Sequence, residues 1–178
     1  MRLLWIGAFV VVIVSLASLI SGGYSGALAQ QSWLEVSSII PEAKLNELQR
    51  ATPVYTARIF ASFPQPFRDK LGRSGWSAVE LITFRALVLT HLAPAVLLPL
   101  LIGLLEGWWA RANQKRLIKI HSPMRFNLAL TGLGLIPLLA LLWVTAPMAV
   151  PVIMLVCLIG VFAIFNTRNV IVHAPTQF

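Results

Sequence analysis

Few residues in this 178-residue chain are placed to do chemistry. His91 and Arg85 stand inside a long apolar run, and Glu106 stands near its end. An ionisable group inside an apolar run is costly, so each is a candidate for function. His91 has two readings open to it. It either carries protons or substrate, or it bonds a nearby acceptor: a carbonyl freed by the neighbouring prolines, or the Thr90 hydroxyl. Arg85 is close enough to the start of the run for its guanidinium to reach a polar boundary, with Glu80 nearby. A proton relay needs several acids or histidines in sequence, and here only His91 and Glu106 are available. The three histidines are scattered and Cys157 is the lone cysteine, so no metal-ligand pattern and no intrachain disulfide arise. No nucleophile–base spacing and no phosphate-binding glycine loop is present, which argues against hydrolase and ATPase chemistry. The sequence therefore predicts no cofactor and no enzymatic activity.

The elements that hold these residues are set by composition. Hydrophobic residues make up 58% and charged residues 11%, with mean hydropathy +0.82. A soluble domain of this size carries roughly twice that charge density. The apolar residues come in blocks, which favours membrane-spanning helices over an alternating barrel. The expected fold is an all-α membrane protein with four transmembrane helices. A periplasmic segment of short amphipathic helices is expected between the first and second.

Residues 1–30 read as the first span, since Leu3 to Gln30 carries no charge. Ala27-Leu28-Ala29 before Gln30 resembles a signal-peptidase site and leaves cleavage after Ala29 open. Gly22 and Gly26 stand at a helix-packing spacing, or Gly22-Gly23 ends the helix. Residues 31–76 mix charges with Pro41, Pro53, Pro64 and Pro66. They predict a short helix from Pro41 to Arg50 and a second capped by Thr52-Pro53. Tyr55, Ile59 and Phe63 would share one face of it, laid on the membrane surface or over the helix bundle.

Residues 77–121 read as the second span with a basic extension. Ser77-x-x-Glu80 reads as its capping box, with Trp76 stapled onto Leu81. Pro94 and Pro99 predict a kink. Gly103 and Gly107 are spaced to admit a neighbouring helix, so self-association is also open. Ser122-Pro123 reads as N-cap and first residue of the next helix. Residues 122–165 form an apolar hairpin turning at Pro147–Pro151. The second arm, Val152 to Phe165, is short for a crossing unless it borrows from the tail, 166–178.

Charge sets the expected orientation. The stretch from Arg111 to Arg125 holds five cations and no acid, whereas residues 31–80 hold six cations and five acids. The first stretch belongs in the cytoplasm. Both termini follow it there, and residues 31–76 face the periplasm of a bacterial inner membrane. The excess of +8 has a topological and lipid-headgroup explanation, which makes membrane lipid the first partner. No stacking or groove-reading motif accompanies it, so direct DNA contact is disfavoured.

Glu106-Gly107, then Arg111 and Lys115-Arg116, then Ser122-Pro123-x-Arg125-Phe126 before an apolar hairpin, form a pattern. It resembles the TraJ-like inner-membrane proteins of integrative conjugative elements and conjugative plasmids, which accompany coupling proteins. The resemblance implies a non-enzymatic part of conjugative DNA transfer by type IV secretion. Its partners would be the coupling ATPase and other conjugation-channel proteins. Glu106, Arg111, Lys115, Arg116 and Arg125 are then the candidate partner contacts. The alternative is a small transporter or channel subunit with His91 and the Pro94–Pro99 stretch on its pathway. A weaker third reading is an assembly factor for an envelope complex.

Overall fold

A computed structural model describes residues 2–21, 25–114 and 122–174. Among these residues the secondary structure is helical throughout, without strands. Six helices follow in order: α1 (Arg2–Ser21), α2 (Ser25–Ser37), α3 (Glu42–Ser62), α4 (Gln65–Gln114), α5 (Pro123–Thr145) and α6 (Val152–His173). Three helices are long and apolar enough to cross a membrane, spanning Gln65–Asn113, Pro123–Thr145 and Val152–His173. A fourth crossing arises if the pair Phe9–Ser21 and Ser25–Ser37, bent by 107°, counts as one span. The first 30 residues are therefore not one straight helix.

The surface explains why water is the wrong solvent. Leu97, Leu98, Leu101, Ile102 and Leu105 of α4 are all more than half exposed, as are Phe9 and Val14 of α1 and Val161 and Phe165 of α6. Soluble monomers do not expose apolar area on that scale. A bilayer makes the exposure favourable and requires the helical backbone to satisfy itself.

The chain divides into two compact units. One comprises 2–91 and 141–152; the other comprises 92–140 and 153–178. In the first unit, Leu19 of α1 is buried against Ala78 and Leu81 of α4, with Leu28 and Ala29 of α2 packed on them. The Ala27-Leu28-Ala29 motif thus lies within a helix and leans on a core. Ala27 and Gln30 are exposed, and Leu28 and Ala29 are partly buried. Gly26 has open space where a Cβ would stand, so it mediates no close helix contact. Gly22 and Gly23 lie outside the described residues.

Two boundaries differ from those read in the sequence. The pair of short helices around Thr52-Pro53 is one helix, α3, with Pro53 inside it. Proline removes one backbone donor there. Burial of Leu48, Thr52 and Thr56 along one face carries the helix through. Thr52 does not cap; its hydroxyl donates to the Leu48 carbonyl at 2.7 Å. Tyr55 and Ile59 lie on the exposed side.

Similarly, Ser77 is no N-cap. It stands inside α4, with its hydroxyl donating to the Arg73 carbonyl at 3.2 Å. The interruption is at Gly72, whose φ of 53° and ψ of −147° are the non-helical dihedrals inside α4. Trp76 packs edge-on against Phe60, 5.2 Å between centroids. Pro94 and Pro99 sit within α4 without such a break. At Ser122-Pro123 the structure agrees with the sequence. The Ser122 hydroxyl accepts from the Arg125 N–H at 3.4 Å, and α5 starts at Pro123. Finally, α6 continues through Phe165 to His173, which gives it the length its apolar core lacked.

Gly72→Ala should lower the unfolding free energy in detergent by about 1–3 kcal/mol, because only glycine adopts that backbone without strain. Gly26→Ala should be neutral or stabilising by up to about 1 kcal/mol, since it adds helix propensity in open space. Thermal melts of the two variants side by side check both.

Candidate functional site

Arg85 is the most constrained polar side chain of the first unit, at 1% exposure. Its Nη1 donates to the Trp143 carbonyl at 3.1 Å and the Ala146 carbonyl at 2.7 Å. Its Nη2 donates to the Met148 carbonyl at 2.9 Å and reaches the Ser32 hydroxyl at 3.5 Å. The guanidinium also lies over the Trp143 ring, 5.4 Å from its centroid. That indole donates to the Val150 carbonyl at 2.8 Å. The three carbonyls lie where α5 ends and its turn begins; that of Trp143 also accepts from the Ala146 N–H at 3.3 Å. A cation at a helix C-terminus also meets the negative end of the helix dipole. Only a planar fork of donors reaches carbonyls in three directions at once.

The other end of the turn has the opposite arrangement. Pro151 precedes α6 and has no side-chain oxygen to cap it. Glu35 of α2 supplies one: its Oε1 accepts from the Val152 N–H. A carboxylate there meets the positive end of a helix dipole. The turn between α5 and α6 is thus pinned by a cation on one side and an anion on the other. Trp33, two residues before Glu35, stacks on Phe84 at 4.1 Å, beside Arg85. Arg85 does not reach outward to a polar boundary, as the sequence suggested. It turns inward because the carbonyls there have no other donor of this kind.

His91 is half-buried. Its Nδ1 lies 2.9 Å from the Leu87 carbonyl, which can only accept, so Nδ1 carries the proton. Nε2 stands 3.9 Å from Glu47 Oε2. Glu47 is itself held by Lys44 at 3.0 Å, a contact that draws its pKa below the usual carboxylate value.

In the second unit, α4 and α6 run side by side in the same direction. A Cβ on Gly103 would stand 2.6 Å from the Ile164 carbonyl oxygen and 2.9 Å from its Cα. One on Gly107 would stand 3.0 Å from the Arg168 carbonyl oxygen. The two glycines therefore seat α4 on the backbone of α6. On α5, Gly132 makes room for the buried amide of Asn166, whose Nδ2 donates to the Phe162 carbonyl at 2.7 Å. Polar contacts follow the same seam. Glu106 Oε1 lies 2.9 Å from Arg168 Nε, and Arg111 Nη1 donates to the Ile171 carbonyl at 3.1 Å.

This changes the meaning of the proposed contact set. Glu106 and Arg111 are engaged within the chain, whereas Arg125, on the first turn of α5, is exposed. Lys115 and Arg116 lie outside the described residues. Sequence reading missed Ser32, Glu35, Trp143 and Asn166 as partners. Their contacts join residues far apart in the chain, and no local pattern marks them. Among the described residues no group of three metal-ligating side chains converges.

Two melting experiments separate these devices. Arg85→Met leaves buried carbonyls without a donor and should cost about 3 kcal/mol or more; Arg85→Lys should recover less than half of it, having charge but no fork. Gly103→Ala and Gly107→Ala push against backbone and should each cost about 1–3 kcal/mol. Gly160→Ala, whose Cβ would meet Pro99 at an ordinary 3.4 Å, should be tolerated.

Comparison with known proteins agrees with the conjugative character of the basic-loop pattern. The family model that matches covers residues 42–172 and describes an IncC plasmid conjugative DNA transfer protein, DtrJ-like. It names the DtrJ-like family and not a TraJ-like one. No curated protein matches the chain, and no solved structure does. The match runs from the start of α3 almost to the end of α6, so it takes in both the Arg85 clamp and the glycine seam, and on that extent the chain belongs to the DtrJ-like family of conjugative DNA transfer proteins.

Proposed function

We propose that this protein is a non-enzymatic inner-membrane component of the conjugative type IV secretion machinery that anchors or assists the coupling ATPase. The observation that carries the reading is membership of a conjugative DNA transfer family over residues 42–172. The arrangement of charge supports the docking part of it. The stretch from Arg111 to Arg125 holds five cations without an acid. Arg111 is used inside the chain by the Ile171 carbonyl. Of the contact set for an acidic cytoplasmic partner, Lys115 and Arg116 lie outside the described residues and Arg125 is exposed. Density of Lys and Arg puts this stretch in the cytoplasm, with both termini, and residues 31–76 in the periplasm. His91, which the transporter reading would use, is held at Nδ1 by the Leu87 carbonyl of its own helix, and its Nε2 stands 3.9 Å from Glu47 Oε2.

Replacing Lys115, Arg116 and Arg125 together by Gln should leave the amount and melting temperature of the protein unchanged. Co-purification of the coupling ATPase with the detergent-solubilised protein should fall, and transfer frequency should drop by about tenfold or more. Rim charges of this kind govern encounter and are screened by salt, so the loss of co-purification should be greatest at low salt and shrink as salt rises. Retention of both co-purification and transfer would falsify the docking role.

A further inference from the structure

A cleft of about 550 Å³ opens beside the break at Gly72, lined by Phe60, Gln65, Arg68, Asp69, Arg73 and Trp76. Among the described residues, neither the Arg68 nor the Arg73 guanidinium makes a hydrogen bond or ion pair, although Asp69 lines the same cleft. Arg68 Nε is moreover buried and has no acceptor. A buried donor without an acceptor is costly, and a charged one more so. Two guanidinium groups against one carboxylate leave a net single positive charge, which matches a phosphodiester monoanion. Guanidinium forks suit phosphate oxygens in geometry as well as charge.

The surroundings suit a lipid. Phe60 packs edge-on with Trp76 at 5.2 Å and with Phe63 at 6.3 Å, and Phe63 lies 5.6 Å from Phe67. Phe67 is about half exposed. Aromatic clusters beside cations are what the headgroup level of a bilayer selects. The apolar run of α4 begins just beyond Trp76.

The geometry points to a binding site for a phosphate-bearing anion at the Gly72 break, held by Arg68 and Arg73 and flanked by Phe60 and Trp76. A phospholipid headgroup and a free phosphate share this chemistry. The inference rests on the membrane character of the chain and is independent of the docking role.

The test is calorimetric titration of the full chain in a neutral detergent with three probes. These are dioctanoyl phosphatidylglycerol, uncharged dioctanoylglycerol, and inorganic phosphate. The phosphatidylglycerol should bind, and Arg68→Gln with Arg73→Gln should weaken it about tenfold or more, the loss of one charge-assisted hydrogen bond or more. Asp69→Asn should tighten it several-fold, an effect that general destabilisation does not produce and that stands if the double variant fails to fold. Inorganic phosphate binding as tightly, with the same arginine dependence, assigns the site to the free anion. Weak phosphate binding assigns it to the lipid. Equal binding of dioctanoylglycerol, or an affinity untouched by both charge changes, overturns the site.

Discussion

The fully buried guanidinium of Arg85 is the constraint around which its unit is organised. A charge removed from water must be repaid in contacts or it unfolds the site. Here three backbone carbonyls and an aromatic face answer it. The carbonyls in turn need it, because a helix end in an apolar surrounding has no water to bond. Donor and acceptors therefore fix one another. The α5–α6 turn, which has two prolines and no charge of its own, takes its shape from residues on α4 and α2. Glu35 completes the arrangement by capping α6. Ser32 and Trp33 flank it from the same helix, so α2 is held in place by the turn as much as it holds it.

The second unit is organised by a different constraint, that of backbone approach. Helices in lipid gain little from burying apolar side chains, since the solvent is equally apolar. They gain from close packing, and Gly103, Gly107 and Gly132 permit it. Close approach then shortens the distance over which charged ends must reach. The Glu106–Arg168 pair is about half exposed, so in water it would contribute about 1 kcal/mol at most. Its worth lies in register: Glu106 and Arg111 both meet the stretch of α6 that the glycines select.

How much of this was legible follows from locality. The three later spans, the Ser122-Pro123 restart and the Gly103–Gly107 spacing are local patterns, and the structure places helices and close contacts there. The break at Gly72 was locally marked by a glycine, but Ser77 and Glu80 form a stronger-looking pattern starting five residues on. What decided between them was that α4 already existed before Ser77. Pro53 misled for the converse reason. A proline preceded by threonine is a good helix start in isolation, and the buried stripe of Leu48, Thr52 and Thr56 overrode it. Arg85 showed itself as unusual in the sequence, but its partners lie 53 to 63 residues away. Glu35 and Val152 are separated by 117. No period or motif connects such pairs.

The polar groups of the apolar helices also bear on function. Thr83 donates to Val79, Thr131 to Asn127, Thr145 to Leu141 and Asn166 to Phe162, each within its own helix. His91 is tied in the same way to Leu87. Side chains that bond their own carbonyls are satisfied without presenting a polar group to a neighbour. A transport pathway needs the reverse, polar atoms turned toward one another around a lumen. Those that do reach between helices are Arg85, Glu35, Arg111, the Glu106–Arg168 pair, and His91, whose Nε2 stands 3.9 Å from Glu47. Their effect is to fix which helices touch and where. Within each unit, these contacts set the register of the packed helices.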